Sequence, residues 1–119
     1  MTTQEIARRL VELCRKGDWE AAQQEMYAKD AVSIEPYATP AFEKETKGLP
    51  AILEKGHKFQ SMVQEMHSLD ISEPLIAGNS IAFVLGMDTT MKGRKREKMS
   101  ELCVYQVKDG KIVSEEFYM

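Results

Sequence analysis

Three glutamates in this chain stand where an acid or base could do chemistry: Glu35, Glu101 and Glu115. Glu35 closes the stretch Tyr27-Ala28-Lys29-Asp30-Ala31-Val32-Ser33-Ile34-Glu35-Pro36, at the end of an apolar strand and fixed by the proline behind it. A carboxylate at the rim of an apolar pocket loses hydration, binds its proton more tightly and becomes a better base near neutral pH. A solvated strand end, or a bond to nearby backbone, is the plainer alternative. Glu101 shares a strand face with Met99, Cys103 and Tyr105, whose apolar surroundings would keep it protonated and able to donate to a substrate oxygen. Glu115, in the alternation Val113-Glu115-Phe117-Met119, points toward the same space. Carboxyls that share a pocket push one another's proton affinities apart, which suits acid–base work. The competing arrangement is ion pairing of Glu101 and Glu115 with Arg96, Lys98 or Lys111 on neighbouring strands.

Other reactive side chains offer less. His57 lies at the edge of a helical apolar face and suits a hydrogen bond at the rim. His67, expected at a helix-to-strand junction, can cap the last turn or serve as acid–base partner to Glu35. Cys14 and Cys103 are far apart in sequence, no CxxC pair occurs, and the two histidines lack ligand spacing. Buried free thiols are expected, with no metal and no cofactor, and a reducing, cytoplasmic setting fits them. Lys92, Arg94, Lys95, Arg96 and Lys98 cluster around a turn, but no aromatic residues interleave with them, so nucleic-acid binding is not expected. The net charge of −3, from 16 basic and 19 acidic residues, provides no general attraction to nucleic acid or acidic membrane. No apolar run approaches the roughly 18 residues needed to span a bilayer.

The elements that must position these groups follow from periodicity. Thr2 and Glu5 form a capping box, and Ile6, Leu10, Leu13 and Cys14 make one apolar helical face. Gly17 ends that helix and Asp18 is placed to cap a second, which carries Trp19, Ala22 and Met26. A strand over 31–35 follows, then a loop over 37–48 with Tyr37 and Phe42 as its large apolar groups. Pro50 opens a third helix that the spacing of Leu49, Ile52, Leu53, Phe59, Val63 and Met66 carries to about His67. Four strands are expected over 69–77, 80–91, 97–107 and 111–119, with Asp109-Gly110 as a strong hairpin signal. All 119 residues read as a single α+β domain. Strands 80–91 and 97–107 are apolar on both faces, and three helices can cover only one. A homodimer through the outer face of the sheet accounts for the other.

Three helices, a strand inserted after the second, and a curved four-stranded meander resemble the nuclear transport factor 2-like superfamily. The likeness rests on this layout, on Tyr27 to Pro36, and on Asp109-Gly110-Lys111-Ile112-Val113. The chain looks most similar to SnoaL-like domain proteins, with a more distant likeness to ketosteroid isomerases and polyketide cyclases. The resemblance implies a cone-shaped, curved antiparallel sheet wrapped around three N-terminal helices. It also implies a general base at Glu35 and a hydrogen-bonding acid at or near Glu101. The tyrosine that completes the oxyanion hole in ketosteroid isomerases falls near Leu10, a departure that removes half of that hole. Expected pocket walls are Trp19, Phe59, Met62, Val63, Met66, Phe83, Leu85, Met87, Cys103, Phe117 and Met119, with Tyr37 and Phe42 as a lid. Such a lining would take a small, largely apolar molecule.

Three functions stay open at this point. The first is proton abstraction next to a carbonyl, leading to isomerisation or cyclisation. The second is binding of an apolar metabolite without chemistry. The third is a dimerisation module whose cavity is filled by its own side chains.

Overall fold

In the computed structural model, which describes residues 1–119, the elements run α1 (Thr3–Arg15), α2 (Trp19–Met26), β1 (Tyr27–Ile34), β2 (Glu45–Lys47), α3 (Leu49–Met62), β3 (Val63–Ile71), β4 (Leu75–Ala77), β5 (Ser80–Met91), β6 (Arg96–Lys108) and β7 (Lys111–Tyr118). The capping box of α1 forms in both directions: Thr2 Oγ1 accepts from the Glu5 backbone, and the Thr2 backbone donates to Glu5 Oε1. Gly17 takes the left-handed φ of 75° that stops the helix. Asp18 occupies the N-cap of α2, but its side chain makes no capping bond. Ile6, Leu10, Leu13 and Cys14 are all buried, as their spacing demands, together with Ala7 and Val11.

All seven strands belong to one curved sheet in the order β2-β1-β7-β6-β5-β3, with β4 on the free stretch of β5. Most pairs are antiparallel, as expected, but β1 runs parallel to β7, so the sheet is mixed. Register shifts interrupt the ladders in β3, between β1 and β7, and at Gln106/Val107, the kind of irregularity that bends and twists a strand locally. At the β6–β7 turn, Asp109 and Gly110 both have positive φ (52° and 74°), the geometry a two-residue primed turn requires.

Four boundaries differ from the sequence expectation, the first being that β1 begins at Tyr27 rather than Ala31. The third helix ends at Met62 rather than near His67, because residues 63–71 pair with β5, from Val63↔Met91 to Ile71↔Leu85. Val63 and Met66 stand three apart, which mimics a helical face. The ladder offered by β5 settles the matter, and His67 therefore lies within a strand. The expected strand 69–77 is broken at Ser72-Glu73-Pro74, where proline lacks the N–H a ladder needs, and resumes as β4. A short charged strand, β2, arises inside the expected loop by pairing Val32↔Lys47 on the sheet edge. No helix is long and apolar enough to cross a membrane.

The inner face of β5 carries Ile81, Phe83, Leu85 and Met87, all buried, while Val84 on the outer face is 45% exposed. Ile81 has no accessible surface, so Ile81→Ala should cost about 2–5 kcal/mol of stability. Thr2→Ala, which deletes only a cap, should cost about 1 kcal/mol. Urea denaturation of both variants checks the core and the cap together.

Candidate functional site

The inward residues of the sheet stack in rows fixed by register. Met87 faces Met99, Leu85 faces Glu101, Phe83 faces Cys103 and then Phe117, and Ile81 faces Tyr105 and then Glu115. The parallel seam extends the last row, because Ser33 of β1 is the partner of Glu115. Glu101 and Glu115 therefore lie on the concave side for the same reason that Leu85 and Tyr105 do. Glu35 follows the last residue of β1, and its backbone N–H donates to Lys44 O at 2.7 Å, pinning the strand end to the loop. These groups open onto a cavity of about 290 Å³ between the sheet, α2, α3 and residues 36–42.

All three expected carboxyls line this cavity, as do Trp19, Phe59, Leu85, Met87, Phe117 and Met119, with Tyr37 and Phe42 among the loop residues. Met62, Val63 and Met66 are not among its walls, since the end of α3 and the turn into β3 carry them along the sheet edge. Phe83 and Cys103 are not walls either. They are buried in the core cluster with Ile6 and Leu10, and the Phe83 and Tyr105 rings pack 5.3 Å apart. Leu10 and Cys14 of α1 reach the cavity in their place.

Neither histidine enters. His57 Nε2 contacts Glu20 Oε1 at 3.0 Å, joining α3 to α2 on the surface. His67 bonds Thr90 Oγ1 at 2.7 Å and Glu65 at 3.0 Å, away from the cavity and from any helix terminus, so it is no partner for Glu35. The expected surface ion pairs of Glu101 and Glu115 do not form: Arg96 holds Asp88 through two bonds of 2.9 and 2.8 Å, and Lys111 donates to Glu25 O.

Four polar residues not foreseen complete the site: Tyr27, Ser33, Lys55 and Tyr105. Lys55 Nζ donates to Ser33 Oγ at 2.6 Å and to Glu35 Oε2 at 2.9 Å. Ser33 Oγ donates in turn to Glu115 Oε2 at 2.6 Å, and Tyr27 OH donates to Glu115 Oε1. A continuous chain thus runs from the mouth of the cavity to its floor. Lys55 had a legible signal: it stands three after Ile52 and four before Phe59, inside the apolar stripe of α3. The partner that Ser33 and Tyr27 share is 82 or more positions away, beyond the reach of local pattern.

The carboxyls differ electrostatically. Glu101 bonds no N–H or O–H donor, and its one contact of this kind is the weak thiol of Cys103 at 4.0 Å. Burial, then the charges of Glu35 and Glu115, push it up to about 7, against an opposing pull from Lys55. Burial also raises Glu115, opposed by the bonds from Ser33 and Tyr27 and by the Lys55 charge. Burial lifts the Tyr27 and Tyr105 hydroxyls well above the usual phenol range, so both remain donors. The Cys14 thiol is pushed up to about 12 by burial and is inert as a nucleophile. No group of three or more His, Cys, Asp or Glu side chains is placed to hold a metal ion.

A family model described as SnoaL-like domain matches residues 1–119. Among solved structures, a candidate SnoaL-like polyketide cyclase from Mesorhizobium loti superposes with a TM-score of 0.92 at 32% identity, covering 100% of both chains. A protein of unknown function with a cystatin-like fold from Xanthomonas campestris gives 0.83 at 18% identity over 99% of this chain and 90% of that one. A candidate polyketide cyclase from Streptomyces antibioticus gives 0.73 at 20% identity, over 98% and 91%. The last two likenesses concern the fold alone. No curated protein matches the sequence.

A carboxyl whose folded-state affinity for protons is raised favours the folded state below its unfolded value and loses that contribution as pH rises through the folded one. For Glu101 the window runs from about 4.5 to about 7. Glu101→Gln should therefore stabilise the protein at pH 8, by about 1–3 kcal/mol, and leave it nearly unchanged at pH 4. Urea titrations at the two pH values measure the difference, and equal effects at both would place Glu101 in water.

Proposed function

The chain belongs to the SnoaL-like domain family, and from that premise we propose that its cavity binds a small, largely apolar carbonyl compound and removes a proton from the carbon beside that carbonyl, in the manner of an isomerase or cyclase. The observation that carries this reading is the contrast between two carboxyls in one apolar cavity. Glu35 is ion-paired with Lys55 at 2.9 Å, whereas Glu101 has no charged partner and is pushed up to about 7. Glu35 is the base. It takes the proton, the C–H electron pair moves into a carbon–carbon double bond, and negative charge develops on the carbonyl oxygen. Glu101, protonated, donates a hydrogen bond to that oxygen, the use that ketosteroid isomerases make of a neutral carboxylic acid. Glu115, already accepting from Ser33 and Tyr27, organises the floor rather than meeting substrate.

Holding an apolar metabolite without turnover is the second reading, favoured by the hydrophobic majority of the walls, 15 of 23 residues. The outer sheet face supports a homodimer. Tyr118, Leu102 and Val84 form one row across β7, β6 and β5, and Val104, Ala82 and Leu75 form another beside it. Two buried free thiols, Cys14 and Cys103, support a reducing, cytoplasmic location.

Exchange of ketone α-hydrogens for solvent deuterium, followed by NMR, tests the chemistry. Glu35→Gln should abolish exchange while leaving affinity within about tenfold. The wild-type rate should fall as pH rises through about 7, and Glu101→Gln, which donates at any pH, should remove that fall. A rate that climbs through the same range would make Glu101 the base instead. For the dimer, light scattering should report two chains for the native protein and one for the Val84→Lys, Leu102→Lys double variant.

A further inference from the structure

Lys55 is the one ammonium group on the cavity wall, and its hydrogen bonds leave it with a donor to spare. An ammonium group carries three N–H bonds. Two of them are used, by Ser33 Oγ at 2.6 Å and Glu35 Oε2 at 2.9 Å, and Lys55 makes no third hydrogen bond although it lines the cavity. Its side chain is only 16% exposed and lies against Phe117, whose ring centroid is 5.8 Å from Nζ. The two bonds fix where Nζ sits. Ser33 is itself locked, since its single proton is given to Glu115. The amine is thus a preorganised cation in a mostly apolar cavity, next to the base and close enough to Glu101 to act on its charge.

We propose that Lys55 is a catalytic residue of this site: its third N–H binds the substrate oxygen on which charge develops when Glu35 takes the proton. The ligand class follows. The cavity should select compounds whose enolisable carbonyl, or an equivalent enol or phenol oxygen, reaches Lys55 while the remaining bulk is apolar. The inference rests on the proton-abstraction reading for its catalytic half. Its binding half, an oxygen site at Lys55, stands by itself and can be tested without turnover.

The probe is 4-nitrophenol, whose ionised and neutral forms differ in visible absorption. Bound to the wild-type protein, it should ionise at least tenfold more readily than when bound to Lys55→Met, which keeps the length of the side chain and loses its donors and charge. Lys55→Arg should retain most of the effect, and circular dichroism checks that each variant is folded. Equal ionisation on the wild type and Lys55→Met overturns the proposal, and so does the absence of saturable binding up to millimolar probe. In the exchange assay, Lys55→Met should lower kcat about 100-fold or more with KM changed less than fivefold. A kcat within threefold of wild type removes the catalytic role. Retained probe ionisation with no ketone exchange by any form of the protein would instead sink the proton-abstraction reading and leave the oxygen site standing.

Discussion

A carboxyl group taken out of water must be met by donors, because an unmet polar group in the interior costs about 1–3 kcal/mol and an unmet charge more. Glu115 is 4% exposed, and the way it is met organises much of the molecule. Its two oxygens accept from Tyr27 at the start of β1 and from Ser33 near its end. Both bonds exist only if β1 lies parallel to β7 with Ser33 beside Glu115, and the ladder has that register. The buried acid is thus a registry device as well as part of a site: slide β1 by one residue and Ser33 turns to the opposite face. Polar specification of a seam that apolar contacts alone would leave free to slip is a known use of buried polar groups.

From that seam the cavity follows. Lys55 is drawn inward because Ser33 and Glu35 both accept from it, and its attachment ties α3 to β1. The segment 36–42 then crosses the mouth, bound at one side by the Glu35–Lys44 backbone bond and at the other by Lys58, which donates to Ala41 O and stands 5.2 Å from the Phe42 ring centroid. The polar chain occupies one wall while Trp19, Phe59, Leu85 and Met87 make the rest apolar. Low polarity in the remaining walls strengthens every interaction of the few charges present.

Three glutamates of identical chemistry thereby acquire three characters. Glu35 has an ammonium partner, Glu115 has two hydroxyl donors, and Glu101 has a weak thiol contact amid burial and two like charges. The difference comes from neighbours rather than from the carboxyls themselves.

Local signals in the sequence determined much of this. The Thr2–Glu5 box, the apolar face of α1, the strand alternation of residues 80–91 and the Asp109-Gly110 turn depend on residues a few positions apart, so pattern reveals them directly. Glu101 and Glu115 were legible as inward carboxyls for the same reason, since strand parity assigns a face without knowledge of the partner, and Glu35 was marked by its place at a strand end before Pro36. Spacing misled where two periods coincide, as at Val63 and Met66, whose interval of three fits a helix until β5 supplies a ladder. Met62, Phe83 and Cys103 share the chemistry of the cavity walls, and only the placement of α1 and the end of α3 removes them from it. Tyr27, Ser33 and Lys55 join one hydrogen-bond chain through contacts spanning 20 to 88 positions. No local rule encodes such contacts. They depend on strand order and on the parallel seam, which the chain settles only when the whole sheet closes over its helices.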